Sequence, residues 1–224
     1  MTQSDALEIL KMGKNVFLTG PAGSGKTFVL NSYIKYLKSH AVDVAITAST
    51  GIAATHIGGQ TIHSWSGLGI RDNLTEYELE ELLEKQYLYK RFEKTKVLVI
   101  DEISMLDSER LDLVDWVCRS MKRNSSSFGG IQIIVCGDFF QLPPISRNST
   151  DAFGENIKPN FSYKADSWSR AKFTVCYIEE QHRQKDKTYL SILNEIRSGS
   201  VKNETVKLLL SRINKDIEQG KEFT

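Results

Sequence analysis

The chain has 224 residues, 40% of them hydrophobic, which predicts one large α/β core, or one core with a small subdomain. Its formal net charge of +1 neither supports nor excludes a nucleic-acid partner, because a neutral protein can carry a locally basic groove. The cysteines at positions 118, 136 and 176 are scattered in apolar runs, a pattern that indicates neither a disulfide framework nor a zinc site.

The sequence contains no apolar run of membrane-spanning length, and the N-terminal segment MTQSDALEIL lacks the charged and apolar regions of a signal peptide. We therefore expect no membrane partner. The expected location is the cytoplasm for a bacterial or phage-encoded protein, and the nucleus for a eukaryotic one.

Short β-branched runs alternate with helical patterns along the chain. The runs that predict strands are NVFLTG (15–20), VDVAITA (42–48), KVLVIDE (96–102), IQIIVCGD (131–138) and FTVCYIEE (173–180). Continuous apolar strands separated by crossovers are typical of a mainly parallel, doubly wound α/β sheet with helices on both faces. Ligands of such sheets bind at the carboxyl ends of the strands, where polar residues follow most of these runs.

The first strand ends in GPAGSGKT (20–27), and a helical pattern, FVLNSYIKYLK, follows it. Glycines let such a loop curl so that its N–H groups face an anion at the positive end of the next helix. The spacing is typical of a phosphate-binding loop, in which Lys26 reaches the β and γ phosphates and Thr27 ligates Mg²⁺. A glycine-rich turn that matches by chance is the alternative. The residues expected to bind the nucleotide are Gly20, Gly23, Ser24, Gly25, Lys26 and Thr27.

The segment LTEYELEELLEKQYLYKRFEK (74–94) has the spacing of an amphipathic helix. The apolar face predicted for it consists of Leu79, Leu82, Leu83 and Tyr87.

An acid pair follows the third predicted strand, in VLVIDEIS. Nucleotide hydrolysis needs a group that holds the metal and a group that orients water. Asp101 is expected to hold Mg²⁺, and Glu102 to polarise the attacking water. Alternatively, the pair caps the following helix through its dipole.

The fourth predicted strand ends in GDFFQLPP (137–144). If this strand lies beside the acid-bearing strand, Asp138 and Gln141 emerge near the γ phosphate. An uncharged amide there can donate to a phosphate oxygen or orient water without adding repulsive charge. Gln141 is therefore a candidate γ-phosphate sensor, and a rigid turn is the alternative.

The last part of the chain begins with turn-forming residues (146–168), which predict surface loops. Two helices are predicted near the C-terminus. The first has Tyr189, Ile192, Leu193 and Ile196 on one face and ends at Gly199. The second has Val206, Leu209, Leu210 and Ile213 on one face.

Six segments together resemble the petite-integration-frequency (Pif-type) DNA helicases, members of superfamily 1B and relatives of the RecD-like helicases. The segments are GPAGSGKT, TASTGIAA (47–54), GGQTIHS (58–64), IDEISML (100–106), GDFFQLPP and EEQHRQKD (179–186). The resemblance spans roughly residues 3–200. It implies a RecA-like P-loop fold and ATP-driven translocation, 5′ to 3′, on single-stranded DNA.

The resemblance also implies unwinding of duplex and G-quadruplex DNA in genome maintenance, including repair, recombination and telomere maintenance. The cofactors it implies are ATP and Mg²⁺. We expect the protein to act as a monomer.

The resemblance assigns further residues. Gln3 is expected to recognise adenine, and Arg183 to sense the γ phosphate at a lobe interface; without the family, the segment around Arg183 would be a solvated charge cluster. Thr50 is the candidate for phosphate contacts with DNA, and His63 and Ser64 are further candidates. A core position is the alternative for His63, and Trp65 is either a stacking platform or a core residue.

The resemblance further predicts the domain organisation. Residues 1–200 would form the ATPase lobe, with a helical wedge or pin at 66–95, and 201–224 would lead toward a second RecA-like lobe. Lysines and arginines at positions 85, 90, 91, 94 and 96 would line the approach to the wedge, or else form a solvated face. The chain is thus expected to be a first motor lobe that is largely inactive in unwinding by itself.

Two other classes of function stay open on the sequence alone. One is a P-loop ATPase that acts as a DNA-associated loader or switch, against which GDFFQLPP and TIHS argue. The other is a DNA- or protein-binding module without catalysis, against which the intact Lys26, Asp101 and Glu102 argue.

Overall fold

The computed structural model describes residues 1–144, 159–180 and 186–213. The strands in these ranges are β1 (Val16–Thr19), β2 (Val44–Ala48), β3 (Gln60–Thr61), β4 (Val97–Asp101), β5 (Gln132–Cys136) and β6 (Thr174–Tyr177). They form one sheet in the order β3-β2-β4-β5-β1-β6, and every pairing is parallel. The five predicted strands are confirmed, and the two-residue β3 is an addition to them.

The helices of the first 180 residues connect these strands. They are α1 (Gln3–Lys11), α2 (Lys26–Ser39), α3 (Gly51–His56), α4 (Ile62–Ser66), α5 (Glu76–Leu83), α6 (Gln86–Lys94), α7 (Ser108–Lys122) and α8 (Asp166–Ala171). Short 3₁₀ helices lie at Ile103–Met105, Ser127–Gly130 and Ser162–Lys164. No helix in the described ranges is long and apolar enough to cross a membrane.

The strands bury both of their faces, because successive side chains point to opposite sides. In β4, Leu98 and Ile100 belong to a core shared with α4 to α8, whereas Val97 and Val99 belong to a core shared with α1 and α2. This arrangement explains the continuous apolar runs in the sequence and gives a doubly wound sheet with helices on both faces. The three cysteines are buried and free.

Residues 74–94 form two helices where the sequence predicts one. Lys85, with φ −72° and ψ 98°, interrupts the helical backbone and changes which side chains face the core. Tyr87 is 60% exposed, whereas Leu88 and Phe92 are fully buried, so the predicted position of Tyr87 on the apolar face is wrong. Gly67 makes room for the second helix: its φ is 82°, and a Cβ on it would lie 2.7 Å from Leu88 Cδ1.

A buried carboxylate fastens α7 to its neighbours. Asp115 is fully buried and accepts hydrogen bonds from Phe128 N (2.7 Å), Arg119 Nε (2.8 Å) and Arg170 Nη2 (2.7 Å). Its two arginine partners lie on α7 and α8, so one side chain joins two helices to the turn at Ser127–Gly130.

Asp115→Ala is expected to lower the free energy of unfolding by about 3 kcal/mol, because it leaves a buried N–H and two guanidinium groups without their acceptor. Equilibrium urea unfolding followed by tryptophan fluorescence measures the change. Glu109→Ala, which removes an exposed acid from the same helix, is the control and is expected to cost a few tenths of a kcal/mol. A similar loss in both variants would contradict the structural role of Asp115.

Contacts divide the chain into two units, residues 1–182 and 183–224. In the described part of the second unit, α9 (Lys187–Ser198) ends at Gly199 with φ 67°, as predicted, and α10 (Asn203–Leu210) follows. Glu195 Oε2 links these helices by accepting from Thr205 Oγ1 (2.6 Å) and Lys202 N (3.1 Å).

Candidate active site

The register of the sheet aligns the carboxyl ends of the central strands. Ala48 at the end of β2 pairs with Asp101 at the end of β4, and Leu18 of β1 pairs with Cys136 of β5. The residues that follow these ends therefore meet at one edge of the sheet. They are the loop 20–25, Ser49, the acid pair 101–102 and the segment 137–141.

The loop between β1 and α2 curls tightly over the end of β1. Gly25 has φ 84° and ψ 21° and occupies the N-cap position of α2, so the first N–H groups of that helix point into the loop. Gly20 has φ 150°, and a Cβ there would lie 2.3 Å from Ile178 O. The loop thus has backbone conformations that favour glycine and the positive end of a helix dipole, as an anion site requires.

Lys26 begins α2 and turns back to the loop. Its ammonium donates to Gly20 O (2.8 Å) and Pro21 O (3.0 Å). Ser24 is fully buried, and within the described part of the chain its hydroxyl has no hydrogen-bond partner. Thr27, one position beyond Lys26, is exposed.

Gln3 contacts the same loop from α1. Its Nε2 donates to Ser24 O (3.1 Å), and its backbone N–H donates to Glu180 Oε2 (3.4 Å). The capping box formed by Thr2 and Asp5 fixes the start of α1. The sequence resemblance is the reason for assigning Gln3 to the site, and the structure brings its side chain to the loop.

The acid pair lies at the end of β4 in a low-dielectric environment. Burial raises the pKa of Asp101, although the Glu102 N–H, the Cys136 thiol and the Lys26 charge oppose the rise. Burial also raises the pKa of Glu102, and the charges of Asp101 and Asp138 add to the effect while Lys26 opposes it. The backbone of Glu102 is left-handed, with φ 52° and ψ 44°, which costs energy for a residue other than glycine.

Ser49 holds this strained backbone in place. Its N–H donates to Asp101 O (3.0 Å) and its hydroxyl donates to Glu102 O (2.7 Å). Sequence reasoning missed Ser49, because its role depends on the pairing of β2 with β4. The signal available was a small hydroxyl residue directly after a strand that neighbours the acid-bearing strand.

Asp138 organises the segment after β5. It is buried, and its carboxylate accepts from Gln141 Nε2 (2.9 Å) and Phe140 N (3.2 Å). Gln141 is exposed, and Asp138 accepts a hydrogen bond from its amide. Phe139 packs edge-on against Trp168 and Tyr163, whereas Phe140 is 73% exposed.

The candidate DNA residues lie in two places. Thr50 follows Ser49 directly and caps α3, accepting from Ala53 N (3.3 Å). His63 and Ser64 lie on α4, which follows the edge strand β3. Thr50 is therefore one residue from the contacts to Asp101 and Glu102, whereas the other two candidates belong to a separate element.

His63 is half-buried and Ser64 is exposed. Burial lowers the pKa of His63 and the Arg110 charge lowers it further, while Asp107 and Asp72 oppose the change. Trp65 is 2% exposed and packs on Phe92 with ring centroids 4.5 Å apart, so of the two roles considered for it the structure gives the core position. Arg183 lies outside the described residues.

The chain was compared with known proteins. The family model for PIF1-like helicases matches residues 5–207. The ATP-dependent DNA helicase Pif1 of Psychrobacter sp. (strain PRwf-1) is 53% identical over 204 residues, which cover 88% of this chain and 30% of that protein. The chain therefore spans less than a third of the length of this relative.

Solved structures similar in fold to this chain include Pif1 helicases. The crystal structure of Pif1 helicase from Candida albicans is 35% identical with a TM-score of 0.85, and the match covers 96% of this chain and 48% of that one. The Pif1 helicase from Bacteroides, in complex with ADP-AlF3 and single-stranded DNA, is 30% identical with a TM-score of 0.81, covering 97% and 50%. The RecA-like P-loop fold predicted from the sequence is confirmed.

Proposed function

Because this chain belongs to the PIF1-like helicase family, we propose that it is the N-terminal ATPase lobe of a helicase that moves 5′ to 3′ along single-stranded DNA. The observation that carries the proposal is the convergence of the glycine loop, the acid pair and Gln141 at one edge of the sheet. This is the ligand-binding edge of an open α/β sheet.

The residues present fit a nucleoside triphosphate with Mg²⁺. The loop N–H groups and Lys26 suit the phosphates, and the unpartnered Ser24 hydroxyl is available to a further polar ligand. Thr27 and Asp101 offer the oxygen ligands that Mg²⁺ prefers. When bound, the metal ion neutralises charge that develops on the phosphates. Gln3 would contact adenine from α1.

Glu102 is placed to act on water. Burial and the neighbouring carboxylates raise the pKa of Glu102. Its carboxylate, when ionised, is therefore a stronger base than a solvated carboxylate. Gln141, held by Asp138, would donate to the γ phosphate without adding negative charge. We propose Arg183 as a further γ-phosphate contact from the sequence resemblance.

On the DNA side, we propose that Thr50, His63 and Ser64 contact the single strand. Thr50 caps α3, and its neighbour Ser49 donates a hydrogen bond to Glu102 O. A shift of α3 when DNA binds would therefore be transmitted to Glu102 through Ser49. The proposed substrates are duplex and G-quadruplex junctions, which the wedge at 66–95 would meet. We further propose that the protein acts as a monomer in genome maintenance. Its proposed location is the cytoplasm or the nucleus.

Single-stranded DNA is expected to stimulate ATP hydrolysis by a longer form of the protein that includes a second lobe. Steady-state hydrolysis with and without an oligonucleotide measures the effect. Hydrolysis that is vigorous but insensitive to DNA would instead indicate a P-loop ATPase of another class.

Ser49→Ala is expected to lower kcat for ATP by about tenfold with little change in KM, because the lost hydrogen bond positions Glu102 and not the bound nucleotide. Ser49→Thr is expected to recover most of the loss. The assay uses the two-lobed protein at saturating DNA.

Thr55→Ala is the matched control, since this hydroxyl bonds only to Gly51 O within α3 among the contacts described. A raised KM with unchanged kcat in Ser49→Ala would contradict the positioning role.

A further inference from the structure

A groove of about 510 Å³ lies beside the first residues of β2. Residues of the last turns of α2 and α6, the glycine turn before β3 and Trp65 line it. Because β2 begins at Val44 and the active-site residues follow its other end, the groove is at the opposite end of this strand from the acid pair. Its lining residues Arg91 and Lys94 are also among the cations expected at the approach to the wedge, whereas the ATP site does not use the groove.

The charge on the groove is mainly positive. Lys38, Arg91 and Lys94 line it, and Asp43 is the one acidic side chain among the described residues of its lining. Both lysines are exposed, so their ammonium groups are accessible to a ligand. A concave surface with an excess of cations concentrates anions by focusing the field.

Two residues of the groove lining hydrogen-bond to Ser64, the proposed DNA contact. Arg91 lines the groove, and its Nη1 donates to Ser64 O (3.1 Å) and Trp65 O (2.7 Å). Gln60 also lines the groove, and its Oε1 accepts from Ser64 Oγ (3.3 Å). A DNA backbone that contacts Ser64 would therefore lie next to residues that line the groove.

We propose that this groove binds the phosphodiester backbone of DNA, as an extension of the contact at Ser64, with Lys38 and Lys94 as its phosphate ligands. The inference rests on the proposed function. Lysine acts as a flexible point charge that suits phosphate without reading base sequence. The site would thus add affinity, and not sequence preference, to the DNA path of the lobe.

The test is fluorescence anisotropy of the 224-residue chain with two labelled probes, an oligothymidine and a blunt duplex of mixed sequence. The groove variant is Lys38→Gln with Lys94→Gln. Arg91 is left unchanged because it also fastens α6 to α4. The matched control is Lys14→Gln with Lys207→Gln, which removes the same charge from two exposed lysines outside the groove.

The groove variant is expected to bind at least one probe about tenfold more weakly at low salt, and to lower the salt slope of log K by about 1.4 to 1.8, as loss of two phosphate contacts predicts. The control is expected to stay within about twofold of wild type. A loss on the duplex alone assigns the backbone to the duplex, and a loss on oligothymidine assigns it to the single strand.

Equal affinities of the groove and control variants for both probes, with wild type binding DNA, would overturn the groove while leaving the proposed function intact. Failure of wild type to bind either probe at low salt would count against both. Circular dichroism of each variant checks that the fold is unchanged.

Discussion

Glu102→Gln is expected to slow ATP hydrolysis by about 10²- to 10⁴-fold in the two-lobed protein, the usual contribution of a positioned general base. The amide keeps the size of the side chain and the left-handed backbone that Ser49 holds, but it cannot take a proton from water. ATP affinity is therefore expected to stay within about threefold of wild type.

Single-turnover hydrolysis and equilibrium titration with a fluorescent ATP analogue separate these two effects. The control is Glu109→Gln, an exposed glutamate on α7, which should leave both quantities unchanged. Near-normal turnover in Glu102→Gln would show that the acting base lies elsewhere.

Lys26→Ala is expected to abolish the stabilisation of the 224-residue chain by Mg-ATP. At a ligand concentration of about 100 Kd, wild type gains about 2.7 kcal/mol in unfolding free energy, and the variant should gain almost none. Among the described groups, the ammonium donates hydrogen bonds only to the carbonyls of Gly20 and Pro21, so its loss should alter the unliganded fold little.

Thermal melting with and without Mg-ATP measures both properties. Lys14→Ala, an exposed lysine outside the loop, is the control and should keep the full ATP-dependent rise in Tm. The same rise in Lys26→Ala would remove Lys26 from the phosphate site.

The sequence predicts most of the sheet because its central strands are buried on both faces and appear as continuous apolar runs. β3 could not be found in this way, since it is two residues long and pairs only with Thr47 and Ala48. The break between α5 and α6 also has no local signal: no glycine or proline marks Lys85. After the break Leu88 packs over Gly67, a contact between residues far apart in the chain.

The candidate site likewise contains residues that the sequence predicts and residues that it does not. The glycine loop and the acid pair are contiguous motifs, so each is visible in the sequence by itself. Ser49 acts through a hydrogen bond to Glu102 O, which depends on the order of the strands. Asp138 acts by accepting from Gln141 Nε2 across a turn. The positions of such supporting residues follow from three-dimensional register, which the sequence does not display.

We propose that these residues form the N-terminal ATPase lobe of an ATP-driven DNA motor. The most direct test is a strand-separation assay on a duplex with a 5′ single-stranded tail, comparing the 224-residue chain with a longer protein that includes the second lobe. We expect unwinding by the longer protein alone, because in the proposed two-lobed motor the second lobe would close the cleft and add charge that stabilises the transition state. Robust ATP-dependent unwinding by the 224-residue chain as a monomer would contradict it.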